Sequence, residues 1–384
     1  MAVLPFRPFA ALLTAGLCWS IPATLPAQAP HLRQTENVIL VTLDGLRWQE
    51  VFTGADNRMM NLEDGGVRDL LATRKRFWRG EPEARRRVLL PFLWETIATQ
   101  GQIFGDPTQN AQARITNPHK FSYPGYSELL CGKADPAIDS NNKFPNPHVS
   151  VLEWLHGKPA YAGRVAAFSG WDVVPYILNE ERSGLFVEAA YDPVTVAGSP
   201  ERLAQLQQTF DHLPRYWEGF AFDAPTYARA KEYFVQKKPR VFYLALGETD
   251  EWAHGRRYDL YLQTARIADQ MIADLWATAQ QDPQYRGKTS LLVTVDHGRG
   301  RGARDWTDHN AKVDGAEEIW IAVLGPDTPA LGVRADVAAT QAMVAASVAA
   351  LLGEDFVAAF PDRAAPLPGI LPNGSAEKAA GAGR

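Results

Sequence analysis

Cysteine is nearly absent: the chain of 384 residues has two, Cys18 and Cys131. Cys18 lies in an N-terminal stretch expected to be removed, which leaves Cys131 alone and excludes an internal disulfide. Cys131 then reads as a packed structural thiol rather than a nucleophile. A surplus of one charge is also lacking. The formal net charge is −5, which gives no basis for a nucleic-acid polymer or an anionic membrane as partner. The basic cluster Arg74-Lys75-Arg76 with Arg85-Arg86-Arg87 is local and reads as a solvated helix face. Long apolar runs are missing beyond the N-terminus, so no membrane span is expected in the mature chain. Internal repeats are missing as well.

The first 29 residues differ from the rest. Arg7 is their only charge, an apolar stretch follows, and small residues end in "AQA". This is the layout of a secretory signal peptide, with cleavage near Ala27 or Ala29. An exported, periplasmic protein without disulfides must be held by its core. Hydrophobic residues make up 46% of the chain, enough for a large α/β domain. Residues 30–363 are expected to form a single catalytic domain. Residues 364–384, rich in Pro, Gly and Ala, are expected to be a disordered tail.

Three short continuous apolar runs predict fully buried strands: Asn37–Gly45, Arg240–Asp250 and Ser290–Gly298. Continuous runs rather than alternation suggest parallel strands covered on both faces. Between the second and third, Tyr261, Ala265, Ala268, Ile272, Leu275 and Ala279 recur at helical spacing, which predicts a strand–helix–strand unit. Ile319–Pro326 is a fourth strand candidate. Helical patterns also fit Val88–Thr99 and Thr340–Leu352. The fold class is therefore α/β, a central mostly parallel sheet with helices on both faces. Residues 135–238 are rich in Pro, Asn, Gly and Trp. They predict loops and a small cap over the sheet's edge, with helices at Glu201–His212 and Pro225–Gln236.

Ligands of open parallel sheets bind beyond the carboxyl ends of the strands. All three best strands end there in acids: Asp44, Asp250, and Asp296 beside His297. His254 follows Asp250 by four residues, and His309 follows His297 by twelve. One strand-end aspartate is usually a turn or a cap. Three carboxylates gathered without a counter-charge would repel one another and lose ionisation. A divalent metal is the natural compensation, and mixed nitrogen and oxygen ligands suit zinc, with manganese as the less specific alternative.

These motifs resemble the alkaline phosphatase superfamily, most closely its type I phosphodiesterase/nucleotide pyrophosphatase branch. The "TLDG" strand end, the Asp-x-x-x-His, the Asp-His-Gly and a later histidine follow the family order from Val38 to Gly325. The resemblance implies a hydroxyl nucleophile between the first two acids, in a Thr-Phe-Pro-Asn-His pattern that opens a helix. "SYPGYSELLCG" (Ser122–Gly132) fits that slot with Ser122 at the nucleophile; Ser127 is the competitor, and an N-cap is the bland reading of Ser122. Carried over, Asp250, His254 and His309 would hold one divalent metal, and Asp44, Ser122, Asp296 and His297 a second.

The resemblance implies a substrate-contacting asparagine three after the nucleophile; Gly125 stands at that position here and is thereby a substrate-binding candidate through its backbone. Another donor must then serve the substrate's oxyanion: a backbone N–H, or Asn141, Asn142 or Lys143. Trp171 and Tyr176 are candidates for a substrate pocket, with core aromatics as the plainer reading. The implied function is hydrolysis of small-molecule phosphate esters, as phosphodiesterase or phosphatase, through a phosphoserine. A sulfatase is the alternative, although Ser122–Tyr126 lacks the arginine of the Ser-x-Pro-x-Arg signature. A non-catalytic binding protein on the same fold is the third reading.

Overall fold

The computed structural model describes residues 33–372, together with Met1, Ala2 and Leu4. The expected signal peptide and residues 373–384 of the expected tail lie outside the described residues. Among these, no helix is long and apolar enough to cross a membrane.

Ten strands are present among the described residues. In chain order they are β1 (Asn37–Leu43), β2 (Gln102–Phe104), β3 (Gln112–Arg114), β4 (Val165–Ser169) and β5 (Phe186–Ala189). They continue with β6 (Val241–Leu246), β7 (Thr289–Thr294), β8 (Ile321–Leu324), β9 (Gly332–Val333) and β10 (Ala338–Thr340). Eight form one sheet in the order β5-β4-β6-β1-β7-β8-β2-β9, while β3 and β10 pair separately. The five strands from β5 to β7 run parallel. Every residue of β1, β6 and β7 is buried, as expected of strands covered on both faces. The helix Tyr258–Gln281 joins β6 to β7, and all six apolar positions spaced along it are buried.

Four features differ from expectation. The Ile319–Pro326 candidate became β8, which pairs antiparallel with both neighbours. Residues 295–320, which precede it, form no helix. The chain therefore returns at the edge it left instead of crossing over, and an antiparallel strand follows. Second, residues 135–238 do more than cover an edge. They supply β4 and β5 to the main sheet, besides the helices Pro200–His212 and Asp223–Lys237. Third, the helix read at Val88–Thr99 is broken at Leu90, whose backbone is not helical (φ −128°, ψ 68°). Pro91 follows it and disfavours helical backbone there. Fourth, residues 364–372 pack on the body: Leu367 and Ile370 are buried, and Leu367 N–H donates to Ser347 Oγ at 2.8 Å.

The carboxyl ends of β4, β5, β6, β1 and β7 share one rim, and the chain's acids collect there. Asp44 follows β1 directly. Asp296 lies two residues past β7. Asp250 is not a strand end: β6 stops at Leu246, and Asp250 sits in the short helix Glu248–His254. That helix places Asp250 and His254 four residues apart on one face.

Candidate metal centre

His297 is the hub. Its side chain is wholly buried, and Nε2 lies 3.3 Å from Asp44 Oδ1, 3.3 Å from Asp296 Oδ2 and 3.8 Å from Asp250 Oδ1. Nδ1 lies 2.9 Å from Gly298 O. A carbonyl only accepts, so Nδ1 carries a proton, and Nε2 is the ring nitrogen that faces the carboxylates and would serve a metal. A second group adjoins it. His254 Nε2 is 3.2 Å from Asp250 Oδ2 and 2.9 Å from His309 Nε2, and His309 Nε2 is 3.5 Å from Asp250 Oδ1. The six carboxylate and imidazole groups among the seven expected ligands thus lie together.

Two oxygens decide whether these residues suit a cation. Asp44 Oδ1 and Asp296 Oδ2 are buried and have no hydrogen-bond partner. A buried carboxylate oxygen without a hydrogen bond is costly, and here two flank one imidazole nitrogen. Burial, and then the charge of Asp250, push the Asp44 carboxyl well above the usual range. Burial, and then Asp44, do the same to Asp296. His309 is pushed well down by burial and by His297, so its ring is neutral and able to ligate. Burial opposes ionisation of Asp250 too, but Arg299, His254 and His309 outweigh it and hold that carboxyl well below the usual range. The donor set fits a divalent ion.

Ser122 reaches this centre: its Oγ is 3.3 Å from His297 Nε2. It is the first residue of the helix Ser122–Cys131, whose N-cap is Phe121, so capping is not its role. Ser127 faces elsewhere, accepting from Asn146 Nδ2 at 3.0 Å. Cys131 is fully buried, with its thiol pushed up to about 12 by burial, and has no nucleophilic character.

Several residues at the centre carried no sequence signal. Tyr126 O–H donates to Asp44 Oδ2 at 3.0 Å, and Thr249 Oγ1 donates to the Asp44 carbonyl at 2.5 Å. The Arg299 guanidinium donates to Asp250 Oδ1. Gly45, at φ +60°, donates its N–H to Asp296 Oδ1 at 3.2 Å, and a side chain there would meet Asp250 Oδ1 at 2.9 Å. The glycine of "TLDG" thus buys closeness between two acids.

No protein-family model and no curated protein matches the chain. Solved structures do match. A putative sulfatase from Bacteroides thetaiotaomicron VPI-5482 is similar at TM-score 0.55 and 12% identity, covering 87% of this chain and 74% of that one. The wild-type alkaline phosphatase PafA is similar at TM-score 0.52 and 10% identity, covering 85% and 97%. The lipoteichoic acid synthase LtaP from Listeria monocytogenes is similar at 0.51 and 12%, covering 84% and 72%. This is an alkaline-phosphatase-like fold.

On the alkaline-phosphatase-like rim, the residues expected to contact substrate separate. Gly125 does not belong with them. Its N–H is bonded to Phe121 O at 3.0 Å, and a methyl group on it would lie 2.3 Å from Asp296 O. It is a packing glycine that seats the helix on the metal-bearing strand end. Asn141 sits at the helix start, where its Oδ1 accepts from Tyr123 N at 2.9 Å. With Pro124 lacking an N–H, little of the helix terminus remains to bind an anion. Asn142 is exposed, and its carbonyl accepts from Phe144 N. Lys143 pairs with Asp172 at 2.7 Å. Both line a cavity of about 530 Å³ together with Tyr176, beyond β4. The Trp171 ring centroid lies 6.3 Å from that of Tyr126.

Proposed function

We propose that this protein is an exported, metal-dependent hydrolase of phosphoric esters, a phosphodiesterase or phosphatase, that works through a phosphoserine on Ser122. The observation that carries the reading is the approach of Ser122 Oγ to His297 Nε2, beside two buried carboxylate oxygens that lack any other partner. Asp44, Asp296 and His297, with Ser122, would hold one divalent ion, and Asp250, His254 and His309 a second; zinc suits the mixed donors best. Bound there, such ions supply positive charge for the transferring phosphoryl group and make the serine hydroxyl more acidic.

The chain's own residues do the rest. Ser122 Oγ forms the bond to phosphorus as its proton passes to solvent, and the ester oxygen departs as the alcohol. Water then displaces the seryl oxygen, so phosphate, or a monoester when the substrate is a diester, is released. Two in-line displacements leave configuration at phosphorus retained. Burial of His297 and Asp296 keeps the centre rigid, and Tyr126 and Thr249 hold Asp44 in place. Asn141, beside the start of the Ser122 helix, is the candidate oxyanion donor, whereas Lys143, paired with Asp172 in the cavity beyond β4, would meet a more distant part of the substrate. The cavity beyond β4 receives the group esterified to the phosphoryl.

Sulfuric-ester hydrolysis is the second reading, favoured by the similarity to the putative sulfatase. Against it, the arginine position of the sulfatase signature holds Tyr126, whose hydroxyl is committed to Asp44. The test is hydrolysis of nitrophenyl phosphate, bis-nitrophenyl phosphate and nitrophenyl sulfate, with and without chelator. Chelator-sensitive turnover of a phosphate ester, absent in Ser122→Ala, supports the first reading. Turnover of the sulfate alone overturns it, and no turnover of any ester favours a binding protein.

A further inference from the structure

Arg299 is 1% exposed, and its guanidinium sits inside the centre. Nη2 donates to Asp250 Oδ1 and, at 3.1 Å, to the Asp250 carbonyl; Nη1 donates to Thr307 O at 2.8 Å. The oxygen it engages, Asp250 Oδ1, is the one that His309 Nε2 approaches to 3.5 Å. The other oxygen faces His254. A guanidinium thus engages Asp250, whereas Asp44 Oδ1 and Asp296 Oδ2 face only the His297 ring nitrogen at 3.3 Å and have no hydrogen-bond partner. The formal charges differ accordingly. With the carboxylates ionised, as a bound metal would hold them, two carboxylates with no guanidinium in direct contact give the Asp44–Asp296–His297 group −2. One carboxylate and one guanidinium give the Asp250–His254–His309 group zero. A guanidinium does not lose its proton in a protein, so this cation is permanent.

We propose that Arg299 makes the two metal positions unequal. It acts as a fixed cation at the Asp250 end, so the Asp44–Asp296–His297 position holds its ion tightly and the Asp250–His254–His309 position holds its ion weakly. The proposal rests on the two-metal reading above. Solvent access runs the same way: the His254 side chain is 44% exposed, while those of Asp296 and His297 are wholly buried. An ion at the Asp250 position meets a repelling neighbour and an open path out. Arg299 is thus a positioning and charge-setting residue that makes activity follow ambient metal concentration. Its bond to Thr307 O also ties down the loop that carries His309.

The experiment is a zinc titration of the metal-free full chain by calorimetry, with ions per chain counted after dialysis into metal-free buffer. It is run on the wild type, Arg299→Met and Arg299→Lys. The wild type should keep about one ion and bind a second on the order of 100-fold more weakly, as a neighbouring unit charge at low effective dielectric implies. Arg299→Met should narrow the gap by about tenfold or more, and Arg299→Lys, which keeps the charge, should preserve it. An unchanged gap in Arg299→Met overturns the proposal. If that variant does not fold without zinc, the wild-type titration decides alone: two steps of equal affinity overturn the asymmetry and leave the two-metal reading standing. Binding of no zinc at all overturns both.

Discussion

The two halves of the metal centre are built from similar residues and behave differently. The half at the ends of β1 and β7 is buried, anionic and leaves two oxygens without partners. The half on the short helix after β6 is open to solvent at His254 and neutralised by Arg299. On the proposed reading, local charge balance and burial, not shared ligand chemistry, would set the affinity of each position. Ser122, the proposed nucleophile, touches the buried half.

Breaking the buried half should cost most. Ser122→Ala should lower kcat by roughly 10⁴-fold or more, as removal of a nucleophile does, while zinc content after dialysis stays at the wild-type value. Near-wild-type turnover would remove Ser122 from the mechanism. Asp296→Asn should abolish retention of the tight ion, measured by metal analysis. His254→Ala in the open half should lower activity by about 10- to 100-fold at limiting zinc and recover in excess zinc. A loss that zinc does not repair would contradict the contrast.

Gly125→Ala drives a methyl group against the Asp296 carbonyl and should destabilise the fold by about 1–3 kcal/mol, read by denaturant unfolding. Unaltered stability would show that the helix can shift away from β7. The pH response has a defined sign. Asp44 and Asp296 have carboxyl values raised above the ordinary 3.8 in the fold. The folded, metal-free protein thus binds more protons there than the unfolded chain. Their contribution is full below that ordinary value and lost as pH rises through the raised one. Asp250, held low, acts oppositely: its contribution is present above the ordinary value and lost as pH falls. Zinc binding in mildly acidic buffer should therefore release protons from the buried half, seen as a buffer-dependent heat by calorimetry. Buffer-independent heats would contradict the burial argument. Smallest of all, Lys143→Ala should change KM by only a few-fold, because the exposed pair with Asp172 contributes little.

Much of the centre was legible in the chain. Asp44, Asp296 and His297 follow apolar runs that could only be buried parallel strands, and the strand rule brings such ends together. The i, i+4 spacing of Asp250 and His254 survived even though their segment is helical rather than strand. What escaped notice depends on long-range packing. β4 and β5 are five and four residues of mostly small or mixed side chains, too short for periodicity to report. The reversal of β8 follows from a loop whose path no local pattern encodes. Arg299 stands in a run of Gly and Arg that reads as solvated turn. Only the fold shows that Arg299 is buried on Asp250 while Arg301, two residues on, pairs with Glu318 near the surface. Gly125 misled for the same reason: its position in a motif suggested substrate, and its backbone contact assigns it to packing.

The central claim is that the orphan oxygens of Asp44 and Asp296 exist to grip a cation beside Ser122. Anomalous diffraction at the zinc edge from crystals grown with zinc tests it most directly. A peak within coordination distance of Asp44 Oδ1, Asp296 Oδ2 and His297 Nε2 is the expected result. Zinc-saturated crystals with no peak there, and those two oxygens still without a partner, would contradict it.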